Sequence, residues 1–362
     1  MSDPSEQPRH TMKLPFDPGL IRVDTPPMTI FETMRKIERE HIRLSPEFQR
    51  NFVWSEQQQS RLIESILLRV PLPAFYLDAS NEDQWQVVDG FQRLTTIYRF
   101  CKQQTLRLQG LEFLRHLDNA DFSGLSEAEQ RILEDTRLTL IVVQPGTPSH
   151  VKFVIFQRIN TGGTTLNTQE IRHALYEGPA RELLRTLAES ELFRAATEGM
   201  TDTQCKRMED RECVLRFLTL KLNPEYVGSH SDSSDLSYED LLTRTMGDLN
   251  QSSPAALDQL QLEFQASMRK AATLFGDLAF RELLDPQEPG PFRKQLFDVW
   301  SVLLTEVSFE AVARHRATIV QQALAIMQGD TAFVAALKPE SDDWPSVARR
   351  FETIRQLLVR IS

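Results

Sequence analysis

The sequence predicts an α+β protein, with a front half in which short strands alternate with helices and a back half that is all helical. Three short apolar runs, at 74–77, 85–88 and 138–143, are bounded by proline, glycine or polar residues, which is typical of strands. After about Gly178, apolar residues recur at helical spacing and no convincing strand pattern remains. These two observations together define the fold class.

Local signals place the helices of the front half. A mixed apolar and charged pattern predicts a short amphipathic helix over 28–40. Ser55 is a favourable N-cap for a second helix, which Pro71 ends. A third helix follows directly on Asp89-Gly90. Further helix starts are predicted at Ser126, at Thr147-Pro148 and at Asn167.

Three regions follow from this pattern. Residues 1–27 are proline-rich and aperiodic and are interpreted as a loose lead-in, residues 28–177 as the domain with strands, and residues 178–362 as a helical domain. The helical domain carries long amphipathic patterns at 181–188, 206–222, 256–276, 291–305, 310–328 and 345–360.

The composition is that of a soluble globular protein, with 41% hydrophobic and 25% charged residues. No apolar run approaches the ~20 residues of a membrane span, and the first ten residues lack the apolar segment of a signal peptide. Three cysteines, Cys101, Cys205 and Cys213, show no C-x-x-C spacing, which favours reduced thiols. We therefore predict a cytoplasmic protein that does not bind a membrane.

The charge distribution indicates where an anion would bind. The net charge is −10, which argues against a chain that coats nucleic acid non-specifically. Residues 1–110 hold 14 basic and 14 acidic residues, so the whole deficit lies in the remainder, with 27 basic against 37 acidic residues. The front third is thus the less repulsive region for a negatively charged ligand.

The strongest local signal is the turn Asp89-Gly90-Phe91-Gln92-Arg93, where an apolar strand passes directly into a helix. Gly90 allows a sharp turn and a close approach to a ligand. The first amides of a helix lack intrahelical partners and attract anions. Arg93 could contact a phosphate with two hydrogen bonds. Alternatively, Asp89 only caps the helix and Arg93 pairs with a carboxylate.

Two further Phe-Gln-Arg triplets favour the functional interpretation. One includes Gln49 and Arg50, in an aromatic loop before a helix. The other includes Arg158 and is followed by Asn160-Thr161-Gly162, at the predicted end of a helix. Taken singly, each arginine is more often a structural ion pair, and the Asn-Thr-Gly segment is more often a helix stop. The repetition of the triplet beside turns is what indicates a phosphate site.

Other catalytic signatures are missing from the sequence. It contains no P-loop, no G-x-G-x-x-G after a strand and no G-x-S-x-G elbow. The seven histidines show no metal-binding pairs, and His173 is interpreted as structural rather than as part of the site.

The motifs PEFQRNFVW, LIESILLRVPLPAFYL, WQVVDGFQRLTTIYRF and FQRINTGGTTLNTQEIRHAL occur in this order between residues 46 and 175. In this series the chain resembles the N-terminal domain family of the GmrSD-type restriction enzymes. The resemblance implies a fold like that of ParB and sulfiredoxin, with a small mixed sheet and a phosphate-binding strand-to-helix turn. It also implies a bacterial protein of phage defence whose Asp-Gly-Gln-Gln-Arg box binds, and in some members hydrolyses, nucleoside triphosphates.

Carried over by position, that box falls on Asp89, Gly90, Phe91, Gln92 and Arg93. Phe91 replaces a glutamine of the family's pattern, so nucleotide binding is expected more than turnover. No cysteine lies in the turn, and Cys101 is interpreted as a core residue, so sulfiredoxin chemistry is not expected. After residue 180 only two scattered histidines remain, so any DNA cleavage would need a separate nuclease or effector protein.

Three hypotheses remain open. The first is a nucleotide-binding sensor in which Gly90 and Arg93 hold the phosphates and Asp89 holds Mg²⁺. The remaining residues of its phosphate site would be Gln49, Arg50, Phe91, Gln92, Arg158, Asn160, Thr161 and Gly162. Hydrolysis would rest on Asp89, Gln92 and Arg93. The second is a module that binds a DNA or RNA backbone through Arg43, Arg50, Arg61 and Arg93. The third is a protein-interaction member whose site has decayed.

Overall fold

A computed structural model describes residues 17–44, 54–159, 167–198, 200–228, 236–282 and 290–359. The chain divides into two compact units, Met1–Gly162 and Gly163–Ser362. Every strand of the described residues lies in the first unit, whereas the second is helical apart from one bridge between Arg281 and Phe292. The predicted α+β class is therefore confirmed. The domain limits assigned from the sequence, with a boundary at residue 178, stay a prediction.

The first unit is built on a mixed sheet. Its strands are Val23–Asp24 (β1), Pro27–Thr29 (β2), Ile42–Arg43 (β3), Phe75–Asn81 (β4), Gln84–Asp89 (β5) and Arg137–Val143 (β6). The strand order is β1-β6-β4-β5-β3, and β2 also pairs with β6. β4 and β5 form an antiparallel hairpin, whereas β4 pairs with β6, and β3 with β5, in parallel. The three strands predicted from the sequence are thus the central ones.

Alternating burial explains why these runs form strands. Along β6, Leu138, Leu140 and Val142 are buried, while Arg137 and Thr139 are exposed and Ile141 is half-buried. Successive side chains of a strand point to opposite faces, so this alternation directs one face into the core.

Four helices contribute buried side chains to the core of the first unit, namely Ile30–Glu38 (α1), Glu56–Leu67 (α2), Phe91–Tyr98 (α3) and Glu127–Asp135 (α4). A fifth helix of this unit is Ser149–Ile159 (α5). The predicted N-cap at Ser55 and the predicted capping box at Ser126 are confirmed, because each hydroxyl accepts the backbone N–H three residues later.

The second unit consists of helices around an aromatic core. Its helices are Thr168–Leu175 (α6), Pro179–Ala188 (α7), Glu191–Ala196 (α8), Asp202–Lys206 (α9), Glu209–Leu222 (α10), Tyr238–Gln251 (α11), Pro254–Phe275 (α12), Lys294–Leu303 (α13), Phe309–Arg314 (α14), Arg316–Gly329 (α15), Thr331–Ala335 (α16) and Trp344–Val359 (α17). The helix predicted over 310–328 is divided into α14 and α15, because the backbone leaves the helical conformation at His315. No helix in the described part of the chain is both long and apolar enough to span a bilayer.

A buried ionic cluster joins four helices and one loop of this unit. Arg216 on α10 donates from Nε and Nη2 to the two carboxylate oxygens of Asp298 on α13, over 2.8 and 2.6 Å. Its Nη1 and Nη2 also donate to Asp342, both over 2.8 Å. Asp298 further accepts from the hydroxyl of Tyr238 and lies 3.7 Å from Nη2 of Arg350. We call these five residues the Arg216 cluster.

Candidate functional site

The predicted turn forms where β5 ends at Asp89 and α3 begins at Phe91. Gly90 between them is buried and has a φ of +95°, in the left-handed region that favours glycine. A Cβ at this position would lie 2.4 Å from Cδ1 of Phe75, which is fully buried. Because Gly90 has no side chain, it also leaves the N-terminus of α3 without a side-chain cap. Glycine is thus required here both by the backbone conformation and by the lack of space.

Arg93 fastens the first turn of α3 to the start of β4. Its guanidinium donates to the carbonyl oxygens of Pro73 and Ala74, the latter over 3.0 Å, and to Oδ2 of Asp89 over 3.2 Å. It also lies over the ring of Phe75, 4.4 Å from the centroid. Of the two interpretations offered by the sequence, pairing with a carboxylate is the one seen. A contact between Arg93 and phosphate stays a prediction.

Burial governs the electrostatics of this ion pair. It raises the pKa of Asp89 above its usual value, although the Arg93 charge acts in the opposite direction. Burial likewise lowers the pKa of Arg93. The side chains of Asp89 and Arg93 keep 31% and 13% of their exposure, so the carboxylate is the more accessible member of the pair. A charged ligand that bound here would therefore compete with Asp89 or Arg93 for its partner in an ion pair that is already partly desolvated.

The structure places the other predicted residues in different settings. Phe91 packs partly buried against the core of the first unit, and the carbonyl of Gln92 accepts the Thr96 hydroxyl over 2.8 Å. Arg158 is exposed near the C-terminus of α5. Five of the predicted residues lie outside the described residues: Gln49, Arg50, Asn160, Thr161 and Gly162. Their part in a phosphate site stays a prediction.

The arginines that the second hypothesis assigns to nucleic-acid binding mostly contact other groups of the protein. Arg61 pairs with Glu64 and Glu112, at 3.1 and 2.9 Å, and Arg93 is held as described. Arg43 makes contacts of its own as well. With Arg50 outside the described residues, no observation favours a nucleic-acid surface at this position.

The predicted metal ligand, Asp89, contributes one carboxylate. Across the described residues, no group of three or more His, Cys, Asp or Glu side chains is arranged to hold a metal ion. Mg²⁺ often binds through one or two carboxylates together with the phosphates of a nucleotide. Asp89 alone therefore suits Mg²⁺ only as a companion of a bound nucleotide.

A polar cluster beside the sheet was not anticipated from the sequence. Lys152 on α5 and Asp78 on β4 are both buried, and Nζ of Lys152 lies 3.0 Å from Oδ1 of Asp78. The hydroxyl of Ser80 donates to the same carboxylate over 2.6 Å and also contacts Lys152. The available signal was Asp78 itself, an acidic residue inside an apolar strand. Because Asp78 keeps the lysine paired, we interpret this cluster as an anchor of α5 to the sheet.

Cys101 and His173 occupy structural positions. Cys101 is buried, and burial raises its pKa to about 12. His173 is buried in the second unit, where its ring lies 3.2 Å from Nη1 of Arg211. The interpretation of Cys101 as a core residue fits this burial, and a thiol with so high a pKa is a poor nucleophile.

We therefore predict that native protein at pH 8 reacts slowly with iodoacetamide, and at Cys205 alone. Cys205 is exposed, whereas Cys101 and Cys213 are buried and their pKa values are raised by burial. Mass spectrometry of tryptic peptides would give the labelled positions, with urea-unfolded protein as the control in which all three react. Rapid native labelling of Cys101 would contradict its core position.

A mixed sheet with a glycine-centred turn between β5 and α3, carrying Asp89 and Arg93, defines a strand-to-helix domain of the Asp-Gly-x-Gln-Arg type. Residues 30–177 match the family described as GmrSD restriction endonuclease, N-terminal domain. No curated protein and no solved structure matches the chain. The likeness to ParB and sulfiredoxin stays a prediction.

Proposed function

We propose that residues 30–177 form a nucleoside triphosphate-binding domain of a restriction system directed against phage DNA. Two observations support this: the family match, and the strand-to-helix turn at Gly90, which carries the proposal. The turn presents the positive end of an eight-residue helix that Gly90 leaves without a side-chain cap. In this proposal the phosphates bind at that end of α3.

Arg93 has a defined part in the proposal. One of its hydrogen bonds, to the carbonyl of Pro73, lies at an exposed position. A guanidinium forms a stronger hydrogen bond to a phosphate oxygen than to a neutral carbonyl. Exchange of the Pro73 carbonyl for a phosphate oxygen would keep the bonds to Ala74 and Asp89 intact. The same side chain would then both hold the turn and contact the ligand.

Mg²⁺ enters the proposal with the nucleotide, held by Asp89 and by phosphate oxygens. In solution Mg²⁺ would supply charge neutralisation of the phosphates. Gln92 is the residue of the turn that could orient a water molecule for hydrolysis. The nuclease that a restriction system needs is proposed to be a separate protein, and the free cysteines fit a cytoplasmic location.

We expect the full chain to bind a non-hydrolysable ATP or GTP analogue more tightly with Mg²⁺ than without it. Arg93→Ala should weaken this binding at least tenfold, because the ligand loses a charged hydrogen-bond donor. Arg93→Lys should lie in between, since it keeps the charge but not the planar geometry. Isothermal titration calorimetry gives the affinities, and phosphate release from ATP and GTP gives hydrolysis.

Arg115→Ala is the matched control, because Arg115 is exposed and, among the described residues, its Nε donates to the carbonyl of Glu112 alone. Thermal unfolding of each variant separates lost binding from lost structure, since Arg93 also holds β4. Equal affinity in wild type and Arg93→Ala, or no binding by wild type, would refute the proposed site. A steep loss of affinity for a DNA oligonucleotide between low and physiological salt would instead indicate backbone binding.

A further inference from the structure

A cleft of about 710 Å³ lies in the first unit, on residues that the proposed nucleotide site does not use. Its walls come from the end of α2 with the segment after it, from α4, and from the start of β6. A volume between about 300 and 1,000 Å³ is typical of small-molecule sites. The apolar part of the wall includes Ile66, Leu72 and Ile132.

The charges of the cleft are unbalanced. Arg69, Arg131 and Arg137 line it together with the carboxylate of Asp135, which leaves two positive charges in excess. Arg131 pairs with Glu127, over 3.2 Å, at a highly exposed position. In the described part of the chain, Arg69 and Arg137 form no ion pair, and Asp135 forms none with any of the three arginines. Arginines from three elements thus line one cleft, and Asp135 is the single carboxylate of its lining that opposes their positive charge.

The backbone at Arg69 strengthens the inference. Arg69 follows α2 with a φ of +58°, and its N–H donates to the carbonyl of Ile66, while the N–H of Val70 donates to that of Ser65. This is the Schellman pattern of a helix end, in which glycine is the usual residue. Non-glycine residues held in the left-handed region cluster at functional sites. An arginine here brings a guanidinium to the cleft where glycine would fit the backbone better.

We propose that this cleft binds a small organic phosphate, with its phosphate between Arg69 and Arg137 and its apolar body against Ile66, Leu72 and Ile132. Paired guanidinium groups suit a phosphate dianion, and apolar walls suit an aromatic or aliphatic group attached to it. A nucleic-acid backbone fits less well, because it would place phosphates against the apolar wall. This inference does not depend on nucleotide binding at the Gly90 turn.

The test uses 1-naphthyl phosphate as the probe, with inorganic phosphate and 1-naphthol as the two half-ligands. Isothermal titration calorimetry on the full chain should show one site for 1-naphthyl phosphate and at least tenfold weaker binding of each half-ligand. Arg69→Gly should weaken the probe's binding at least tenfold without lowering the melting temperature, since glycine suits this backbone. Arg69→Gly with Arg137→Gln should weaken it at least a hundredfold, whereas Arg115→Gln should leave it unchanged.

Several outcomes would overturn the inference. Undiminished binding in the double variant would mean that the probe does not occupy the cleft. Binding that is lost in Arg93→Lys but kept in Arg69→Gly would place the probe at the Gly90 turn. A DNA duplex that competes with 1-naphthyl phosphate and binds more tightly than it does would assign the cleft to nucleic acid. Triphosphate binding at Gly90 is tested separately, by the Arg93 series with the nucleotide analogue, so failure of one proposal does not imply failure of the other.

Discussion

Replacement of Asp298 by alanine should lower the free energy of unfolding of the helical unit by about 3–5 kcal/mol. Asp298 is fully buried and accepts two hydrogen bonds from Arg216, so its loss leaves a buried guanidinium with fewer partners. Two arginines and two aspartates balance one another in the Arg216 cluster, and the substitution breaks that balance. Burial alone would lower the pKa of Arg216, yet Asp298 and its neighbours raise it well above the usual value, so the arginine stays charged.

The matched control is Asp248→Ala in the same unit. Asp248 lies 3.7 Å from Arg244 in an exposed pair, with side chains 58% and 65% exposed, so its removal should change stability by less than about 0.5 kcal/mol. Hydrogen exchange measured by mass spectrometry, across a urea series, assigns the loss to peptides of the helical unit. A loss below about 1 kcal/mol for Asp298→Ala would show that the cluster tolerates an unpaired arginine, contrary to the expected cost of a buried charge.

The sequence predicted the central strands better than the edges of the sheet. β4, β5 and β6 have six or seven residues, enough for their apolar character to be visible. β1, β2 and β3 have only two or three residues each, so no periodic pattern can form and none was predicted. Capping boxes were predictable because both partners lie three residues apart in the chain. Features that depend on local spacing were therefore accessible from sequence alone.

The site was predictable only in its local part. The Asp89-Gly90 turn follows from a strand that meets a glycine and then a helical pattern. The partners of Arg93 do not follow, because Pro73 and Ala74 lie about twenty residues away and are contacted through backbone carbonyls, which carry no residue signature. No sequence pattern likewise indicates that Phe75 lies against Gly90. Such non-local packing is fixed by the β4–β5 pairing and becomes visible only in the folded chain.

The second large effect is expected from Gly90→Ala, which should destabilise the first unit by about 2–5 kcal/mol. The added methyl group would lie 2.4 Å from the ring of the buried Phe75, and overpacking of this kind costs about 1–3 kcal/mol. The φ of +95° adds about 1–2 kcal/mol for a residue with a Cβ. The guanidinium of Arg93 also lies over the ring of Phe75, so a displaced ring would disturb the whole turn. Nucleotide binding should therefore be lost.

Gly329→Ala is the control, because Gly329 has no positive φ and a Cβ there would meet nothing within 4 Å. It should be neutral or slightly stabilising. A double-mutant cycle separates the two causes at Gly90: Phe75→Leu combined with Gly90→Ala should relieve the steric part and leave the backbone part. Urea unfolding with hydrogen exchange on peptides of β4 and β5 measures both. Gly90→Ala could instead prove as harmless as Gly329→Ala and still bind nucleotide. The turn would then have room for a side chain, and the close contact between Gly90 and Phe75 would not determine the geometry of the site.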